Sequence, residues 1–201
     1  MISQGSARQG LAPRSDGPYR RAMGIDERPP AIEPDAKNWT WVLHGVCPEC
    51  GLDASILTGR EVPGMIRDSV ARWQVVLARP DVRVRSHATV WSPLEYGCHV
   101  RDVFRVFAER LSLMLGSDDP LFPGWDQEAT AVAERYWKAD SARVVAELTA
   151  NGAALAQAFE QVPNGAWSRR GRRSDGARFT VDSLSRYFIH DVVHHLYDVR
   201  G

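Results

Sequence analysis

WSPLEYGCHVRDVFRVFAERLSLML, residues 91–115, decides the fold class. Ser92 is a favourable N-cap, Pro93 suits the first helical position, and Glu95 lies three residues after the cap and completes a capping box. Beyond the cap, apolar residues recur at helical spacing, at Leu94, Val100, Val103, Phe104, Phe107, Leu111 and Met114. The stretch therefore predicts a long amphipathic helix that buries one face.

The same helical period recurs in three further segments, which are residues 52–77, 141–162 and 181–199. Pro63 is expected to break the first turns of one, and Thr180 to cap the last. A shorter helix is expected at residues 127–137, and residues 167–179 are expected to form a glycine-punctuated, arginine-rich loop. Because no segment alternates convincingly like a strand, the sequence predicts an all-α protein. Its fold is a four-helix bundle with one long crossover connection.

Composition limits the domain organisation and the partners. Residues 1–38 contain few large apolar side chains and are predicted to be a disordered N-terminal extension, whereas residues 39–201 are predicted to form the bundle domain. The 25 basic residues balance the 25 acidic ones, which gives no indication of a nucleic-acid partner. No apolar run approaches the roughly 20 residues of a membrane span. Without an apolar signal region at the start, and with an odd number of cysteines, the expected location is the cytoplasm.

The basic residues are unevenly divided between arginine and lysine. Only Lys37 and Lys138 are lysines, so the other 23 of the 25 basic residues are arginines. This bias is typical of GC-rich codon usage and indicates a high-GC bacterium, such as an actinomycete, more readily than it indicates a binding surface.

Histidines are concentrated at the end of the chain, where three of the six fall within residues 190–195. His190 and His194 are four residues apart, so they lie on one face of a helix with Cβ atoms about 5–6 Å apart, a spacing that lets two imidazoles bind one metal. His99 is the candidate for a third ligand, although a single histidine at its position is more often a hydrogen-bonded core residue. His195 points about 100° away from His194 and is the reserve ligand if the register is shifted by one residue.

The order of these motifs resembles the DinB-like superfamily, which includes mycothiol-dependent maleylpyruvate isomerases and bacillithiol S-transferases. The resemblance rests on WSPLEYGCH in the capped helix, the long crossover, and HDVVHH in the final helix; it covers residues 52–199. It implies a divalent metal, zinc or nickel, held by His99, His190 and His194 with water at the open positions. It also implies a small thiol, mycothiol in an actinomycete, and activity as an S-transferase or isomerase on a small electrophile. Self-association as a homodimer is left open.

Other polar residues could support such a site. Candidates to orient the ligating imidazoles are Glu95, Asp102, Asp191, His195 and Asp198. Candidates to hold an anionic thiol or substrate are Arg172, Arg173 and Arg178. Solvated helix carboxylates and a solvated arginine-rich loop would explain the same residues without any site.

HGVCPECG, residues 44–51, is a separate motif with His44, Cys47 and Cys50. A C-x-x-C pair can be half of a zinc knuckle, a redox pair, or a buried structural element. The one remaining cysteine, Cys98, lies in another helix, and the motif is not part of the DinB-like pattern. Three readings of function therefore remain: a metal-dependent thiol transferase or isomerase, a non-catalytic bundle or binding module stabilised by metal, and a C-x-x-C redox protein.

Overall fold

The computed structural model describes residues 28–32, 34 and 37–201, so the extension predicted at residues 1–38 lies largely outside the described residues. Five α-helices follow in chain order: α1 (Val62–Leu77), α2 (Pro93–Gly116), a short α3 (Gln127–Ala133), α4 (Ser141–Glu160) and α5 (Val181–Asp198). The four long helices form the predicted bundle, and the connection from α2 to α4 is the predicted long crossover.

The four long helices enclose one hydrophobic core. α1 and α2 each pack mainly against α4 and α5, so the order around the bundle is α1, α4, α2, α5. Phe104 of α2 is fully buried, lies 5.8 Å from the ring of Phe188 on α5, and faces Gly152 of α4. Within the part of the chain that the structure describes, no helix is long and apolar enough to cross a membrane.

Local capping chemistry fixes where the helices begin. Ser92 and Glu95 form the predicted capping box, and Thr180 caps α5 through Ser183. The predicted start of the first helix at residue 52 is wrong, because α1 begins at Val62, which places Pro63 in the first turn, where its missing N–H costs nothing.

The connection from α4 to α5, predicted as a loop, instead contains a β-hairpin. A three-stranded sheet has the order β1 (Leu121–Phe122), β2 (Arg170–Arg173), β3 (Arg178–Thr180). Gly176, at φ +94°, makes the turn between β2 and β3, and β1 joins β2 in parallel through the pair Leu121–Arg172. The hairpin therefore ties the crossover to the segment that leads into α5.

A close helix contact gives a stability prediction. A Cβ at Gly152 of α4 would lie 2.6 Å from Cγ2 of Val70, whereas one at the exposed Gly64 of α1 would meet nothing within 4 Å. Gly152→Ala should therefore lower the free energy of unfolding by about 1–3 kcal/mol. Gly64→Ala should raise it by about 0.5–1 kcal/mol, because alanine favours a helix. Urea unfolding of both variants checks this, and equal effects would contradict the packing described.

Candidate metal centre

Two overlapping i, i+4 pairs on α5 supply metal-ligating side chains. Asp191 and His195 lie on a face rotated by about 100° from that of His190 and His194. One ligand atom from each of His99, Asp191 and His195 falls within 4.8 Å of the others, and we call this group the histidine–aspartate cluster. It joins the middle of α5 to the second turn of α2.

The other pair belongs to a second group. His190 and His194 lie with Cys47 and Cys50, again with ligand atoms within 4.8 Å of one another, and we call this group the cysteine–histidine cluster. The structure thus divides the sequence-predicted ligand set, because His99 lies with the pair one residue further along α5. Which set binds metal remains a prediction.

Distances within the histidine–aspartate cluster suit a metal ion. Nε2 of His99 is 3.3 Å from Oδ1 of Asp191, and Nε2 of His195 is 3.7 Å from the same oxygen. Nitrogen and oxygen donors bonded to a tetrahedral zinc ion lie about 3.3–3.6 Å apart. Nδ1 of His195 lies 2.7 Å from Oδ2 of Asp198, a contact that fixes the ring and directs Nε2 into the cluster.

His99 has no competing role in the core. Its ring is fully buried, its Nδ1 has no hydrogen-bond partner among the described residues, and its Nε2 faces only Asp191. Trp125 stacks on the imidazole at 5.2 Å with an interplanar angle of 10°, and Trp91 lies 5.3 Å away. The indoles therefore form apolar walls around a ring whose Nε2 points at the cluster.

The protonation states expected near neutral pH also suit metal binding. Burial lowers the pKa of the His99 imidazole below its usual value. Burial acts to raise the pKa of Asp191, but its interaction with His99, which includes a hydrogen bond, and the proximity of His195 and His190 outweigh burial and lower that pKa to about 2. For His99 and Asp191 these are the neutral imidazole and the ionised carboxylate that bind metal.

Comparison with known proteins places this bundle in a family. The family model of the DinB superfamily matches residues 16–199 of the chain. The chain belongs to the DinB superfamily. No curated protein matches its sequence.

Among solved structures, this DinB-superfamily chain is similar to YfiT from Bacillus subtilis, described as a probable metal-dependent hydrolase with an unusual four-helix bundle topology. The TM-score is 0.55 and the identity 16%, over 83% of this chain and 89% of YfiT. At that identity the similarity shows a shared fold.

The other carboxylates predicted to support the site of this DinB-superfamily protein have different partners. Glu95 accepts hydrogen bonds from Arg85 and from the backbone and hydroxyl of Ser92. Asp102 accepts from Arg101 and from the hydroxyl of Tyr136. Both carboxylates therefore stabilise α2 and its neighbours, and Asp198 is the predicted carboxylate that hydrogen-bonds a histidine of the cluster.

The predicted arginines and His44 differ in where they lie relative to the candidate centre. Arg173 lines a cavity beside Asp191, whereas Arg172 lies 2.9 Å from the Asp119 carboxylate and Arg178 is exposed on β3. His44 is exposed and belongs to neither cluster. Of these four residues, Arg173 is the one that the structure places next to the candidate centre.

The cavity has a volume of about 210 Å³, and its lining includes Val103, Phe107, Arg110, Trp125, Arg173 and Asp191. Arg110 is 6% exposed, packs on the rings of Phe107 and Phe122, and donates a hydrogen bond to the Pro123 carbonyl. Burial, with the nearby charge of Arg173, lowers its pKa to about 10.

Arg110 was not among the binding residues predicted from the sequence. No carboxylate among the described residues forms an ion pair with it, so a buried guanidinium remains available to an anion in the cavity. The signal was present in the sequence, because Arg110 follows Val103 and Phe107 at helical spacing on the buried face of α2.

Proposed function

We propose that this DinB-superfamily protein is a metal-dependent enzyme that uses a low-molecular-weight thiol to modify or isomerise a small anionic electrophile. The observation that carries the proposal is the position of Asp191, which belongs both to the histidine–aspartate cluster and to the lining of the cavity. A reactive centre and a cavity lined by two arginines therefore adjoin on one side chain.

The donor set is that of a catalytic rather than a structural site. Two imidazoles and one carboxylate make three protein ligands, and no fourth His, Cys, Asp or Glu of the described residues joins them. Catalytic zinc sites keep an open position in this way, whereas structural sites are closed by four protein ligands. A divalent ion held there would bind the sulfur of a small thiol and lower its pKa towards neutrality.

The residues around the cluster would bind the electrophile and exclude water. Arg110 would hold the anionic end of the electrophile. Arg173 lines the same cavity and is held by the Asp175 carboxylate, at 2.8 Å, and by the Tyr187 hydroxyl, at 3.2 Å. Trp91 and Trp125 keep water from the buried imidazole. The thiol itself, mycothiol in an actinomycete, is proposed from the DinB-like resemblance and the arginine-rich composition.

Substrate binding should depend on the cavity arginine that the sequence did not reveal. Arg110→Met keeps the packing on Phe107 and Phe122 but removes a charge-assisted hydrogen bond, so KM for an anionic electrophile should rise about tenfold or more. Metal content should not change. Arg178→Met, at an exposed position, is the matched control. Equal kinetic effects of the two substitutions would remove Arg110 from the proposed binding site.

The alternative functions make different predictions for untagged protein screened with thiols and electrophiles. Turnover that requires an added thiol supports the proposal. Turnover with water alone would indicate a hydrolase, and metal binding without turnover would indicate a non-catalytic module; either result would overturn it. The redox alternative predicts turnover that depends on Cys47 and Cys50 and needs no metal.

A further inference from the structure

A second group of metal-ligating side chains lies outside the proposed active site. In the cysteine–histidine cluster, Cys47 is fully buried, Cys50 partly so, and His190 and His194 are 3% and 6% exposed. Two thiols and two imidazoles, drawn from segments far apart in the sequence, are the donor set of a closed tetrahedral zinc site.

The backbone around the cysteines has the form of a tight knuckle. The N–H of Cys47 donates to the carbonyl of Leu52, and the N–H of Gly51 donates to the carbonyl of Cys47, both at 2.9 Å. A bridge between Val46 and Asp53 closes the turn, and Gly51 adopts φ +75°, which favours glycine. This turn keeps Cys47 and Cys50 on the same side of a short reversal of the chain.

The histidine atoms fit the same centre. Sγ of Cys47 is 3.6 Å from Nδ1 of His194, and sulfur and nitrogen donors on a tetrahedral zinc ion lie about 3.6 Å apart. Nε2 of His190 is buried with no hydrogen-bond partner among the described residues. A buried polar atom of this kind requires a partner, and a metal ion at the cluster would satisfy the imidazole.

Two carboxylates and one indole ring lie next to the histidines of the cysteine–histidine cluster. Nε2 of His194 lies 3.4 Å from Oε2 of Glu49, the nearer carboxylate, and 3.8 Å from Oδ1 of Asp198. A ligating histidine commonly donates its second N–H to such a neighbouring carboxylate. The indole of Trp39 covers both rings, at 5.6 Å from His190 and 5.0 Å from His194. The cluster is therefore shielded from solvent and its imidazoles are oriented.

We propose that the cysteine–histidine cluster binds one structural zinc ion that fastens the N-terminal knuckle to the end of α5. Two thiolates balance the charge of the ion, which suits a buried position, and four protein ligands leave no place for substrate. Hydrogen bonds from Gly59 to Asp182 and from Arg186 to Ala54 already join the segment to the start of α5, and zinc supplies the attachment near its end.

The site also adjoins the proposed active centre. Oδ1 of Asp198 faces His194 of the cysteine–histidine cluster, and its Oδ2 accepts from His195 of the histidine–aspartate cluster. The zinc ion therefore helps to position a ligand of the other site without contacting substrate.

Metal content measured by mass spectrometry on untagged protein tests the proposal. Cys47→Ser/Cys50→Ser should lose one zinc per chain, while Cys98→Ser, at a buried cysteine outside the cluster, should lose none. In the cobalt-substituted wild type, a sulfur-to-cobalt charge-transfer band should appear without any added thiol. His99→Ala should keep this band and the double serine variant should lack it.

A milder substitution provides a second test in case the double serine variant misfolds. Cys50→His keeps four ligands, so it should retain the zinc while the charge-transfer band falls to about half its intensity. Unchanged zinc content and an unchanged band in the double serine variant would overturn the proposal. So would a reduced, cobalt-loaded wild type that shows no sulfur-to-cobalt band although Cys47 and Cys50 are both free thiols. Neither outcome bears on metal binding by the histidine–aspartate cluster, which His99→Ala reports separately.

Discussion

Replacing His195 by alanine is expected to remove one divalent ion per chain and to abolish turnover. In the structure His195 completes the histidine–aspartate cluster and is held by Asp198, so its loss leaves a carboxylate and a single imidazole as ligands. The electrostatic stabilisation that a metal supplies is worth several kcal/mol, so the rate should fall by about a thousandfold or more. Metal analysis together with steady-state kinetics measures both effects.

His194→Ala distinguishes the histidine–aspartate cluster from the ligand set predicted from the sequence, which is His99, His190 and His194. It should leave the metal of the histidine–aspartate cluster and most of the activity in place, while it removes zinc from the cysteine–histidine cluster. His44→Ala, at an exposed position outside both clusters, should change neither quantity. If His194→Ala abolished turnover and His195→Ala did not, the catalytic ligand set would be His99, His190 and His194.

Removing zinc is expected to lower the melting temperature by roughly 8–16 °C without unfolding the bundle. Free zinc at a thousand times its Kd stabilises the native state by about 4 kcal/mol, and each kcal/mol corresponds to about 2–4 °C in a chain of this size. The bundle itself should survive, because its core lies between α1, α2, α4 and α5 and does not depend on the knuckle. Calorimetry with and without a chelator measures the shift.

Two variants show which of the two clusters produces the change in melting temperature. In His195→Ala, which is expected to lose the ion of the histidine–aspartate cluster, a chelator should still lower the melting temperature by nearly the full amount. In Cys47→Ser/Cys50→Ser the chelator should change it little. The opposite pattern would mean that the histidine–aspartate cluster, and not the knuckle, stabilises the fold.

The helices could be predicted because their signals are local. Capping at Ser92 and Thr180 depends on residues three positions apart, and the apolar period of α2 runs along its whole length. The hairpin of β2 and β3 was missed because its strands are short and arginine-rich. The pairing of β2 with β1 joins segments far apart in the chain, which no local pattern reveals.

The sequence shows which metal-ligating residues α5 carries, but not which of them lie beside His99. α5 carries two ligating pairs one residue apart, and only packing decides which pair faces α2 and which faces the knuckle. The C-x-x-C motif offers two sulfur donors, and a tetrahedral zinc site needs two further ligands. The sequence alone does not show that His190 and His194 lie beside Cys47 and Cys50. Helical spacing placed Arg110 on the buried face of α2, but only the fold shows that it lines a cavity beside Asp191.

Anomalous X-ray scattering at the zinc edge, from crystals of the zinc-loaded protein, tests the separation of the two metal sites most directly. We expect two peaks per chain, one within the histidine–aspartate cluster and one within the cysteine–histidine cluster. A single peak bonded to His99, His190 and His194 together would contradict the account.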